Sequence, residues 1–156
     1  MNLSRALIPA IFVTTAACGS DAFGPAQAEP LTVGGDWRYV ANELKASVFG
    51  EDVDCVYRFE MKLTVAGGTF DGTYRDALMT CTLFGESQIV DAGEGDIVGG
   101  SLLGNDVQFD VDTEGVRNIG TLAVTGMSGE VSIELIVQRH ALIDTIMVRG
   151  PWTASR

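Results

Sequence analysis

The sequence is short of almost everything that marks an enzyme or a nucleic-acid-binding protein. Its 156 residues include one histidine, three cysteines, four prolines and 8% aromatics, and 10 Lys+Arg stand against 21 Asp+Glu for a net charge of −11. So few cations exclude a phosphate-tracking surface for nucleic acid and electrostatic docking on anionic lipid. No G-x-S-x-G elbow, H-E-x-x-H helix, P-loop or dinucleotide fingerprint occurs, which removes the hydrolase, zinc-protease and nucleotide-dependent chemistries those motifs carry. The lone His140 has Asp144 nearby but no serine or cysteine elbow to work on. It reads as an exposed loop residue, and the chain as a non-enzyme without a cofactor. No apolar run reaches the roughly 20 residues of a membrane-crossing helix. What remains, 46% hydrophobic residues in one domain's length, is enough for a real core.

The N-terminus reads as an address. Residues 1–17 carry Arg5, no acid, and an apolar run from Ala6 to Ala17, the pattern of an export signal. Thr15-Ala16-Ala17-Cys18 resembles the bacterial lipobox, in which the cysteine becomes the lipidated first residue; Gly19 after it implies outer-membrane delivery under the usual sorting rule. The alternative is ordinary cleavage after Ala26-Gln27-Ala28, giving a soluble periplasmic or secreted protein. With cleavage before Cys18 the mature chain has 139 residues and a net charge of −12. Residues 18–30, rich in Gly, Pro and small side chains, read as a tether, and residues 31–156 as the domain. Cys55 and Cys81 are then an even pair in an exported chain, which favours a disulfide over two buried thiols.

The domain counts in twos. Cys55, Tyr57, Phe59, Met61, Leu63 and Val65 alternate with Arg58, Glu60, Lys62 and Thr64, a strand with one buried and one wet face. Gly67-Gly68 turns the chain into Phe70, Gly72 and Tyr74. A second hairpin joins Val98–Leu103 to Val107, Phe109 and Val111 through Gly104-Asn105-Asp106. A third joins Leu122 and Val124 to Val131, Ile133, Leu135 and Val137 around Gly126–Gly129. Strands at 36–41 and 145–154 flank these, with Pro151 predicting an edge, bulge or kink in the last. A short segment at 81–84 brings the expected total to eight or nine strands, and 41–48 is expected to form at most one helical turn. The fold class is all-β: an antiparallel up-and-down meander of about eight strands closed into a small barrel, the alternative being a β-sandwich. Charges on the outer parity, including Arg58, Lys62, Asp110, Asp112 and Glu134, predict a water-facing barrel rather than a membrane-spanning one.

Two resemblances follow from these residues. The stretch from Cys18 through Gly24-Pro25 to Gly35-Asp36-Trp37 resembles many short, uncharacterised bacterial lipoproteins with a single small β domain. Gly35-Asp36-Trp37, Phe70-Asp71-Gly72-Thr73-Tyr74 and Trp152-Thr153-Ala154-Ser155-Arg156 are similar to the first, third and last strands of avidin-like barrels and their calycin, lipocalin-like relatives. That likeness implies a Trp plugging one end and a terminal Arg closing the base. It does not carry biotin binding, which uses several tryptophans where this chain has only Trp37 and Trp152.

Candidate sites are few. The inward set Tyr57, Phe59, Met61, Tyr74, Phe109 and Trp152 either fills the barrel or lines a cavity for an apolar small molecule. The nearest approach to a metal site is Asp91, Glu94 and Asp96, a loop with fewer oxygens than calcium normally takes, which reads as a solvated turn. Asp110, Asp112 and Glu114 share one parity and form a carboxylate row, a solubilising face or a docking stripe for a basic protein. The expected function is therefore a lipid-anchored envelope protein with a non-enzymatic binding role, for an apolar small molecule or a protein. The alternatives are an inhibitor of a basic hydrolase such as a lysozyme or protease, whose encounter the acidic charge would speed, and a passive structural component of the envelope.

Overall fold

The computed structural model of the chain describes residues 31–111 and 115–156. The signal segment, Cys18, the tether, and Asp112 and Glu114 of the carboxylate row lie outside the described residues. Eight strands follow one another: β1 (Gly35–Val48), β2 (Glu51–Ala66), β3 (Thr69–Leu83), β4 (Glu86–Leu103), β5 (Asp106–Val111), β6 (Val116–Ala123), β7 (Gly126–Arg139) and β8 (Leu142–Ser155). Each pairs antiparallel with the next and β8 returns to β1, so the meander closes into a barrel rather than a sandwich. The period-2 segments supply the walls, with one parity buried inside and the other exposed on the outer face.

Several strands run further than their alternation indicates. The 81–84 segment is not a separate strand, because Cys81 and Leu83 end β3. Residues 41–48 form no helical turn; they continue β1 across a bulge between Ala41 and Leu44. That extra residue moves the buried set from Trp37, Tyr39 and Ala41 to Leu44 and Val48. Pro151 faces the same bulge from β8, where the β1–β8 ladder is interrupted and its missing N–H costs no hydrogen bond. The third hairpin turns at Val124-Thr125, and Gly126–Gly129 already belong to β7. There Gly129 opposes Gly120 of β6, and the absence of Cβ atoms lets the ring of Trp152 lie over the pair.

The two ends of the barrel differ. At the base, Arg156 donates to the carbonyls of Thr32 and Gly34 and lies over the Trp37 ring, whose Nε1 donates to Val33 O at 2.7 Å. Both the first described residue and the last are thus at the base. At the opposite end, the rim, two two-residue turns share the sequence Phe-Gly: Phe49-Gly50 and Phe84-Gly85, with φ of 52°, 83°, 55° and 81°. Both central residues lie in the left-handed region, the geometry of type I′ hairpin turns, which a phenylalanine adopts at a cost. The two rings stack at 6.5 Å and pack on the core, an apolar contact that offsets the strain.

Candidate functional site

The six inward residues singled out from sequence, Tyr57, Phe59, Met61, Tyr74, Phe109 and Trp152, are all buried inside the barrel. Tyr39 of β1, also fully buried, joins them at the centre. Its ring stacks on Phe59 at 4.2 Å and on Trp152 at 5.4 Å; Phe109 meets Trp152 edge-on at 5.5 Å, and Phe59 touches Tyr57 and Tyr74 at 5.1 and 5.4 Å. Rings at these separations are in contact with one another, so they occupy the middle of the barrel as a continuous stack.

Three polar groups run through that stack. Tyr39 Oη donates to Asn118 Oδ1 at 2.8 Å, both groups being buried. Burial pushes the Tyr39 phenol well above its ordinary pKa, and the neighbouring Tyr57 adds to the effect. Tyr57 Oη donates to Asp91 Oδ2 at 3.0 Å. Asn118 is fully buried and its Nδ2 has no hydrogen-bond partner among the described residues. Sequence reasoning passed over it, although a polar residue on the inward parity of Val116, Gly120 and Leu122 was the available signal.

Asp91, Glu94 and Asp96 lie within strand β4 rather than in a loop. The barrel does not gather them: Asp91 turns to Tyr57, Glu94 and Asp96 are exposed, and no three His, Cys, Asp or Glu side chains among the described residues form a metal-holding group. Asp110 is paired with Arg117 at 3.6 Å. His140 sits exposed in the β7–β8 turn, with its carbonyl accepting from Gln138 Nε2 at 3.2 Å. Cys55 and Cys81 are directly opposite in the β2–β3 ladder and form a disulfide.

The wall has a notch at the rim, which follows from strand length. β4 has 18 residues and β7 has 14, but β5 and β6 between them have 6 and 8. The β4–β5 ladder reaches no higher than Ile97, and the β6–β7 ladder no higher than Ile133, where Glu134 N donates to Gly115 O at 3.2 Å. Above that level, Glu86–Asp91 of β4 are paired only with β3, and Glu134–Arg139 of β7 only with β8, among the described residues. Lower down, β5 and β6 hold β4 and β7 apart by three inter-strand steps of about 4.8 Å, so above them, among the described residues, an opening up to about 14 Å wide is left between the two long strands.

A groove of about 570 Å³ fills the opening, with Leu83, Phe84, Val90, Leu135 and Val137 among its apolar lining. Arg139 lies over the Phe84 ring at 4.4 Å and ties β7 to the β3–β4 turn. On the outer surface beside the notch, Ile89 is 67% exposed, Ile136 74% and Ile143 68%. The exposed acids Glu86, Glu94, Asp96 and Glu134 lie on the two long strands, and no cation pairs with any of them among the described residues. Comparison of the chain with protein-family models, with curated proteins and with solved structures finds no match in any of the three.

Proposed function

We propose that this protein is a non-enzymatic binding module of the bacterial envelope, held at the outer membrane by a lipid on Cys18, and that what it binds is a protein met at the rim rather than a small molecule kept inside. The observation that carries this reading is the aromatic stack: Tyr39, Phe59, Trp152 and Phe109 touch one another where a carrier barrel keeps its cavity. The polarity of the barrel agrees with it. The chain enters the domain at the base, so an anchor at Cys18 leaves the open rim available to a partner. The unpaired rim acids favour a basic partner, and a basic hydrolase such as a lysozyme is one form that partner takes.

Native mass spectrometry of the full chain purified from its own envelope tests the reading. The polypeptide should appear with any covalent lipid and no retained guest; a stoichiometric non-covalent small molecule overturns it in favour of a carrier. Replacing Cys18→Ser should move the protein from the membrane to the soluble fraction, and a wild type that is already soluble removes the anchor. Lysozyme activity assayed with and without the protein at low salt checks the inhibitor form.

A further inference from the structure

We infer that the notch is a strand-acceptor site: the upper edges of β4 and β7, spaced to leave room for two strands, each take an extended, basic segment of another protein into the barrel wall by backbone hydrogen bonding. The inference rests on the reading of the rim as the binding surface and says how that surface works.

The first support is the edges themselves. Barrel closure normally removes every free strand edge, and sheets that keep one blunt it with lysine, proline, a very short strand or a covering segment. Here two six-residue edges, Glu86–Asp91 and Glu134–Arg139, are open above the level of β5 and β6 among the described residues. They read Glu-Ser-Gln-Ile-Val-Asp and Glu-Leu-Ile-Val-Gln-Arg, with no lysine and no proline; a one-residue bulge at Val90 breaks the first after Ile89, the second runs unbroken, and the one cation, Arg139, is engaged over Phe84. Each edge is about 20 Å long, enough for a six-residue strand to form a ladder.

The second support is that both faces of an added strand would find partners. Its inward side chains would meet the apolar floor of Leu83, Phe84, Leu135 and Val137. Its outward side chains would meet Ile89 on the β4 edge or Ile136 on the β7 edge; Ile136 opposes Thr145, which places Ile143 on its diagonal. A strand added in this way draws affinity from the main chain and specificity from alternate side chains.

Charge selects the occupant. Glu86, Glu94, Asp96 and Glu134 border the edges without cationic partners, so a segment alternating Lys or Arg with aliphatic residues neutralises them. A second copy of this chain brings the same acids and a net charge of −11 to the contact. Like-charge repulsion therefore works against self-pairing, and the basic segment is the better fit.

The test uses hydrogen–deuterium exchange of the full chain with a synthetic octapeptide alternating lysine and valine. The expected result is slowed exchange in fragments covering Glu86–Asp91 and Glu134–Arg139, weakening as salt is raised. The same peptide N-methylated at alternate positions, and a glutamate–valine version, should not protect. Ile136→Lys and Ile89→Lys, both at exposed positions that leave the core untouched, should each weaken the lysine–valine peptide by roughly ten-fold, since a lysine beside an edge opposes pairing. Protection of the Phe49, Phe84 and His140 turns without the edges would overturn strand addition while leaving rim binding intact. Equal binding of the N-methylated peptide, edge protection by protein concentration alone, or no protection by the lysine–valine peptide would each overturn the inference. A retained small molecule in native mass spectrometry is a separate result that instead removes the reading beneath it.

Discussion

Reduction of the Cys55–Cys81 disulfide is the perturbation whose size follows most directly from this fold. The two residues face each other in the β2–β3 ladder with Cα atoms 4.1 Å apart, and both are buried. Because strand pairing holds them together with or without the bond, reduction changes the folded state little. The loss falls on the unfolded chain, which regains the freedom of a loop spanning a sequence separation of 26. Chain-entropy reasoning sets the cost at about 3.5 kcal/mol. Residues 31–156 unfold with an entropy of about 2.1 cal/mol/K per residue, or about 260 cal/mol/K, so Tm should fall by about 13 °C. Circular-dichroism melts of the full chain at neutral pH, with and without a phosphine reductant and with thiol alkylation to verify the redox state, measure this. A verified reduction that lowers Tm by less than about 4 °C would refute the argument, since it would mean the unfolded chain is constrained by something other than the bond.

Three further outcomes are expected. Tyr39→Phe strips the Asn118 side chain of its one partner among the described residues and should cost about 1–3 kcal/mol in urea unfolding, whereas the double variant Tyr39→Phe/Asn118→Leu removes both buried polar groups and should recover most of the loss; a strictly additive pair contradicts this. The fold raises the Tyr39 pKa above its ordinary value of 10.0, so the stabilisation from its neutral form is complete below about pH 10 and is lost as pH rises through the folded value. The phenolate absorbance difference between wild type and Tyr39→Phe should therefore develop only as alkaline unfolding proceeds, and a full-amplitude difference near pH 10 with the far-UV spectrum intact would count against it. Gly120→Ala places a Cβ 2.2 Å from Ser128 O and 2.8 Å from the Trp152 ring, a backbone clash that should cost more than about 2 kcal/mol, while Gly68→Ala, with nothing nearer than 3.7 Å, should leave the melt unchanged or slightly raised.

Where the chain alternates without a bulge, its fold was legible: the Cys55–Val65 pattern lies within β2, and the cysteines, tyrosines and tryptophans of the inner parity point where that parity sends them. The misreadings coincide with bulges. Buried residues at 41, 44 and 48 in β1 mimic a helical spacing only because one extra residue sits between Ala41 and Leu44. In β4 the ladder to β3 shifts three times between Ile89 and Gly100, so no period survives along that stretch, and Asp91 reaches Tyr57 without any alternation announcing it. Glycine misled in the third hairpin, where Gly129 serves the close approach of strands beneath Trp152 while the turn itself is made by Val124-Thr125. Asn118 shares the inward parity of Val116 and Leu122, but with Gly120 between them that parity holds too few apolar side chains to stand out as a strand.

The notch was out of reach for a different reason: it is a property of unequal lengths, and alternation measures direction along a strand, not where a neighbour stops. β5 and β6 end below the rim while β4 and β7 continue, and Gly115, at φ 83° with its carbonyl accepting from Glu134 N, marks the floor. In the strand-acceptor reading, acidic charge acquires a role beyond solubility. Natural edges are usually guarded by lysine, which repels other edges of any ordinary composition. An edge bordered by Glu86, Glu94 and Glu134 repels copies of its own acidic chain yet admits a cationic strand. The same surplus of carboxylates that guards against self-pairing also specifies the partner, and replacing those three glutamates by lysine should trade strand acceptance for an edge closed to basic segments.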